Sequence, residues 1–173
     1  RKKFLTQTGT GSVSAAPTWN DENYILDKTV TDASTTSTSE TKVYSFTIPA
    51  NTLIAGQILD AMYHFRKVNT NGTFITRFRF GTNNSTADSL IATMTSAASS
   101  LMQNMLRVFL IKDATHIEGW NSASNVNSDV AGAGSAVTST TVNLTVTNYF
   151  VITIQMSSAS DTGTLSGGYV RVN

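Results

Sequence analysis

The sequence predicts an all-β protein: an antiparallel β-sandwich of jelly-roll type, with about eight to ten strands in two sheets. Three observations carry that expectation. Ser and Thr exceed a quarter of the 173 residues while charged residues are only 13%, about half the usual share. Thr is β-branched and suits a pleated surface, whereas Ser and Asn favour turns over helix interiors. Apolar and polar residues then alternate with period two in several runs, and Gly/Asn/Ser/Asp segments separate those runs at the spacing of a sandwich. No solenoid or propeller repeat is present.

Length indicates one domain, with residues 1–20 as an extended connector and 21–173 as the sandwich. Residues 6–20 (TQTGTGSVSAAPTWN) are small and polar apart from Pro17 and Trp19, so this stretch is read as a linker ending in a docked Trp19. A short strand over 24–30 follows, then a loop over 31–40 (TDASTTSTSE) by composition. Residues 41–48 (TKVYSFTI) alternate and stop at Pro49. The 57–68 run (QILDAMYHFRKV) fits either a helical stripe or a strand. Its continuation Asn69-Thr70-Asn71-Gly72, followed by the strictly alternating TFITRFRF, favours strand, Asn-Gly turn, strand, a hairpin. Short strands over 90–94 and 104–112 come next, with the character of 95–103 open between a helical turn and another connection. Residues 116–120 are a candidate partner of the 104–112 strand. After a polar loop over 121–134 (NSASNVNSDVAGAG), alternating runs at 135–147, 149–157 and 167–172 complete the set.

Composition also limits function. There is no cysteine, which removes disulfides, thiolate nucleophiles and cysteine-bound metals but does not fix the compartment. A net charge of +1 provides no electrostatic footprint for nucleic acid, and Arg1-Lys2-Lys3 reads as a chain terminus. No apolar run nears the roughly 18–20 residues of a membrane span, so no membrane insertion is expected. No secretory h-region follows the basic start. Because the first residue is Arg, the chain is expected to belong to a longer or processed polypeptide.

Signals for chemistry are weak. His64 and His116 are the two histidines, and an Asp–His–Ser set can be spelled from any chain this rich in serine. The carboxylates are dispersed and mostly in loops, with no recognisable pair for glycoside hydrolysis. Asn125, Asn127 and Asp129 alternate like the start of an EF-hand loop, but Val130 and Ala136 stand where Gly and Glu are required. No catalytic residue, metal or cofactor is therefore expected. Trp19, Trp120, Tyr24, Tyr63 and Tyr169 are candidate sugar-stacking aromatics. Trp120, with Asn125, Asn127 and Asp129 in the adjacent loop, is the candidate recognition surface. Arg66, Lys67, Arg77 and Arg79 would meet across the expected hairpin; four like charges repel there unless acids or a partner subunit lie opposite, which makes them the candidate subunit interface.

Two segments carry a family resemblance. FLTQTGTGSVSAAPTW (4–19) resembles the Gly/Ser/Ala–Pro–Trp connectors of tailed-bacteriophage fibre and appendage proteins. TKVYSFTIPANTLIAGQIL (41–59), with NGTFITRFRFGTN (71–83), resembles the opening strands of phage jelly-roll heads. The resemblance implies the distal domain of a virion fibre or spike, commonly a homotrimer. Such a domain would join other virion proteins through its N-terminal region and contact a host-surface glycan or protein. Two further expectations are a capsid-anchored head fibre or decoration protein of the same fold, and a carbohydrate-binding sandwich module of a secreted protein.

Overall fold

The computed structural model describes residues 4–6, 18–20, 24–120 and 137–173. Two short strands, β1 (Phe4–Thr6) and β2 (Thr18–Asn20), pair antiparallel in a ladder of their own. The others are β3 (Tyr24–Thr29), β4 (Ala33–Thr35), β5 (Thr41–Ile48), β6 (Ile58–Val68), β7 (Phe74–Gly81), β8 (Ser89–Ser96), β9 (Met102–Asp113), β10 (His116–Trp120), β11 (Val137–Thr141), β12 (Asn148–Met156) and β13 (Thr162–Val172). They form two antiparallel sheets, a β-sandwich of eleven strands. The larger runs β11-β10-β9-β6-β13-β3, with β4 also on β13, and the smaller runs β5-β12-β7-β8.

The pairing is nested. β3 lies beside β13, β5 beside β12, β6 beside β9 and β7 beside β8, so early strands pair with late ones and the middle strands pair with each other. These pairs alternate between the sheets, and β10 and β11 extend the larger sheet beyond β9.

Period-two alternation sets the core. From β7, Phe74, Thr76, Phe78 and Phe80 are buried, and from β12, Phe150, Ile152, Ile154 and Met156. Opposite them lie Leu59, Ala61, Tyr63 and Phe65 of β6 and Met105, Phe109 and Ile111 of β9. Ring centroids of Phe78 and Phe150 are 5.2 Å apart, and Tyr63 meets Phe78 edge-on at 5.6 Å. Such pairs add about 0.5–1.5 kcal/mol each beyond the area they bury. Arg107 also points inward from β9 and is fully buried; its guanidinium donates to the Leu106 carbonyl at 2.8 Å.

Several expectations are corrected. The stretch 31–40 is not all loop: Ala33–Thr35 pairs with Gly163–Leu165 of β13. The run at 135–147 ends as a strand at Thr141, and the open stretch 95–103 contains no helix; β8 runs to Ser96 and β9 starts at Met102. The largest change concerns Asn71-Gly72. β6 and β7 do not form a hairpin, because β6 pairs β9 and β13 while β7 pairs β8 and β12. The segment between them crosses from one sheet to the other.

That crossover is held by buried charge. Lys67 turns into the interior, where its Nζ donates to the carbonyls of Gly72 and Ala98, each at 2.6 Å. Asp161, in the β12–β13 turn, accepts from Asn71 N at 3.1 Å, Asn71 Nδ2 at 2.8 Å and Gly72 N at 2.7 Å. The two charged groups lie 3.8 Å apart, and both side chains are fully buried. A Cβ on Gly72 would fall 2.4 Å from Ser157 Oγ and 2.9 Å from Ser158 N. Glycine is therefore required here for close approach of two connections rather than for a left-handed turn.

Two outcomes follow. Gly72→Ala must push the β12–β13 turn away, and overpacking of this kind costs about 1–3 kcal/mol. Urea denaturation checks this, with the exposed Thr70→Ala expected to stay within about 0.5 kcal/mol of the parent. Burial pushes the Asp161 carboxyl up, but the bonds from Asn71 and Gly72 and the charge of Lys67 outweigh it and leave the pKa below its ordinary value. Its contribution to stability is thus present above the unfolded carboxylate value of about 4 and is lost as pH falls through the lower folded one. Urea midpoints measured from neutral pH into this acid range should fall for the parent and fall less steeply for Asp161→Asn, which starts from a lower midpoint.

Candidate functional site

The four cations expected to crowd one hairpin are separated by the fold. Arg66 lies on the outer face of β6 and pairs with Asp32 in solvent. Lys67 faces inward to Asp161. Arg77 and Arg79 occupy the outer face of the smaller sheet, where Glu40 folds over them. Arg79 holds Glu40 bidentately, Nε to Oε1 at 2.6 Å and Nη2 to Oε2 at 2.7 Å, and Arg77 Nη1 lies 3.5 Å from Oε2. Thr153 Oγ1 adds a bond to Oε1 at 2.6 Å. The acids that relieve the repulsion are therefore supplied within the chain, from segments that lie far away in sequence. Burial pushes Glu40 up, yet the bonds from Arg79 and Thr153 and the two guanidinium charges leave its pKa lowered.

At the edge where β3 faces β5, Tyr44 Oη donates to Asp27 Oδ2 at 2.7 Å. Burial, with this bond and the Asp27 charge, pushes the Tyr44 phenol up to about 12. Tyr63, a candidate stacking aromatic, is fully buried against Phe78 and Phe150 and presents no surface. Tyr24 packs against the core, and Tyr169 is half-buried with Arg171 6.0 Å above its ring. His64 contacts Asn104 on the neighbouring strand. His116 Nδ1 lies 3.0 Å from Asp113 Oδ1, and Thr115 bonds the same carboxylate through N at 2.6 Å and Oγ1 at 2.7 Å. The Thr115 bonds, then those of His116, pull the Asp113 carboxyl down to about 2. All three residues belong to the tight β9–β10 turn, which accounts for the cluster as turn chemistry. Among the described residues no group of three or more His, Asp or Glu is placed to hold a metal ion.

The backbone of Trp120 ends β10 opposite Val137; its side chain, the side chain of Trp19, and Asn125, Asn127 and Asp129 lie outside the described residues. β10 starts beside the Asp113 turn and runs away from it, so the backbone of Trp120 at its end and of Val137 at the start of β11 lies toward the opposite end of the sandwich.

Four connections meet at the end where β10 starts: 49–57, 82–88, 114–115 and 142–147. Backbone bonds lock three of them, 49–57, 114–115 and 142–147, to each other: Asn51 N to Leu144 O at 2.8 Å, Leu144 N to Ala114 O at 2.9 Å and Val142 N to Thr115 O at 2.8 Å. Between 81–89 and 141–148 they enclose an open cleft of about 370 Å³, with Thr82, Asn83, Asp88, Thr141, Asn143 and Asn148 among its lining residues. Asp88 is buried and accepts from Asn83 N at 2.8 Å and Ser85 N at 3.1 Å, which fixes the 82–88 loop. Leu53, Ile54, Ala55 and Leu144 line a second, more apolar hollow of about 200 Å³ nearby. Sequence reasoning did not find the cleft, because it is assembled from two connections far apart in sequence and most of its residues are ordinary turn formers. No protein-family model matches the chain, and no curated protein matches it.

Replacing Glu40 with Gln leaves Arg77 and Arg79 facing each other and removes charge-assisted bonds worth about 1.5–3 kcal/mol apiece, only part of which neutral Gln retains. Glu40→Gln is expected to lower the urea midpoint at neutral pH and to narrow the gap from the parent under acid conditions, where Glu40 itself protonates. A midpoint equal to the parent's at neutral pH would show that the clamp contributes nothing.

Proposed function

We propose that the chain is a jelly-roll domain of a virion appendage, a bacteriophage fibre or spike, which assembles as a homotrimer and attaches to the host surface without catalysis. The observation that supports this most is the nested pairing of β3 with β13, β5 with β12, β6 with β9 and β7 with β8, alternating between sheets as in a double-Greek-key sandwich. Jelly rolls serve both capsid and lectin roles, and the Gly/Ser/Ala–Pro–Trp connector favours the first.

The fold also has a direction. β3 starts at the end that carries the cleft, since Tyr24 pairs with Val172 and donates to the Thr52 carbonyl at 3.5 Å. A stem joined before β3 would leave the other end outermost, the end at which β10 finishes and β11 begins. Each subunit then needs only modest affinity, because three linked copies multiply it.

Sedimentation equilibrium tests the assembly, with a mass of three 18.5 kDa chains expected at micromolar concentration and a clean monomer overturning it. Fluorescently labelled protein added to a panel of bacterial strains tests attachment. Selective binding to some strains, reduced by Trp120→Ala or Asp129→Ala with unchanged thermal stability, is the expected result; binding to none rejects the reading.

A further inference from the structure

The two sheets differ in what their outer faces carry. An antiparallel sheet with one face on the core usually alternates to polar side chains on the other, and the smaller sheet does so. Among the described residues, none of the exposed large apolar side chains lies on β5, β7, β8 or β12. Their outer face carries hydroxyls and the Glu40 clamp over Arg77 and Arg79. The larger sheet departs from the pattern. Register and alternation place Ile25 of β3, Met62 and Val68 of β6, Met102 of β9 and Val137 of β11 on its outer face, and all five are exposed. Between them β9 adds Leu106, Val108 and Leu110, which point outward and are only partly buried. The core takes Met105, Phe109 and Ile111 from the other side of that strand, so β9 is apolar on both faces although the chain packs only one of them.

Size and charge indicate what covers the second face. Exposed apolar residues gathered on one face mark an interaction surface. At about 4.8 Å between strands and about 3.3 Å per residue, the six strands from β3 to β11 present roughly 800 Å², about what one partner contributes to a standard stable interface. Charged groups on this face form opposite pairs within the chain: Asp60 with Arg171 at 2.8 Å, Lys112 with Glu118 at 3.6 Å, and Arg66 with Asp32. Charges neutralised in pairs leave little excess of either sign to repel an identical face, which suits another copy of this chain. A nucleic acid would need a cluster of free cations instead. Met62 and Met102 also supply side chains that adapt to whatever surface faces them.

We infer that copies of this chain associate through the outer face of the larger sheet, with Met62 and Leu106, directly opposite each other in register, at the centre of the contact. The inference rests on the homotrimer reading and gives that assembly its surface. Of the four cations expected at an interface, Arg66 lies on this face, while Lys67 is buried and Arg77 and Arg79 are on the other sheet.

Sedimentation equilibrium of the parent, Met62→Glu, Leu106→Glu and a control, Thr47→Glu, tests it; Thr47 is exposed on the outer face of the smaller sheet. An unpaired carboxylate at the centre of a contact is expected to weaken association at least about a hundredfold. Both variants should therefore sediment as folded monomers at micromolar concentration, while the parent and Thr47→Glu remain trimeric. Peroxide oxidation read by peptide mass spectrometry needs no substitution and decides the matter if a variant fails to fold. Met62 is 39% exposed in the single chain, and in the assembled parent it should react at least about fivefold more slowly than free methionine. Trimers retained by Met62→Glu and Leu106→Glu, or Met62 oxidised at the rate of free methionine in the assembled parent, overturn the inference and leave the homotrimer reading standing. Dissociation by Thr47→Glu as well also overturns it. A monomeric parent overturns both.

Discussion

A single buried ion pair, Lys67 with Asp161, joins the three connections on which the stacking of the two sheets depends. The β6–β7 crossover, the β8–β9 turn and the β12–β13 turn all converge on it: Lys67 Nζ satisfies carbonyls of the first two, and Asp161 draws the third against N–H groups of the first. Buried backbone groups must be paired, and a connection that leaves one sheet for another has no ladder to pair with. The lysine supplies donors to its carbonyls and the aspartate supplies acceptors to its amides. Direct attraction across 3.8 Å is the smaller part of the arrangement. A buried ion pair is weak evidence for net stability; here its effect is to make one routing of the chain satisfiable and the competing hairpin unnecessary.

From that routing the rest follows. Once the chain leaves β6 for the smaller sheet, β7 and β8 form the inner hairpin there and β9 must return to lie beside β6. Successive outer pairs close over them, bringing Phe150 and Ile152 of β12 against Phe78 and Phe80 of β7 across the ladder. The apolar side chains that alternate along each strand then face one another across the sandwich. Because strands far apart in sequence pair, loop-closure entropy is met late, and such topologies fold slowly.

Much of this was legible in the residues and some was not, for identifiable reasons. Period two located β5, β7 and β12, each with a face against the core, whereas the β6 segment fits a helical stripe as well as a strand until the turn signal after it is added, and β9 reads as a nearly continuous apolar run. Period two did not give partners, since alternation records which face is buried and not which strand lies alongside. Asn71-Gly72 misled because glycine answers two different needs, a left-handed turn and a close backbone approach, and the neighbours that distinguish them, Ser157 and Ser158, lie far off in sequence. β4 was lost because Ala33-Ser34-Thr35 is short and carries no large apolar side chain. The 135–147 run was overextended because Val142 and Leu144 continue the alternation, although Asn143 turns the chain there by accepting from Thr145 N at 3.0 Å and Thr145 Oγ1 at 2.7 Å. The cleft had no sequence signal at all, because it exists only once the connections at 82–88 and 142–147 fold beside each other.

The near-neutral charge takes on a different meaning in the folded chain. On this fold several of the charges fasten one segment to another: Glu40 over Arg77 and Arg79, Asp161 with Lys67, and Asp60 with Arg171 at 2.8 Å. Each joins segments from different connections or strands, so charge specifies topology while Ser, Thr and Asn cover the surface. A net charge of only +1 leaves hydroxyls and amides, rather than a strong long-range field, as the main polar groups of the chain. Under the attachment reading proposed above, recognition by such a surface would rest on short-range hydrogen bonding and shape rather than on charge.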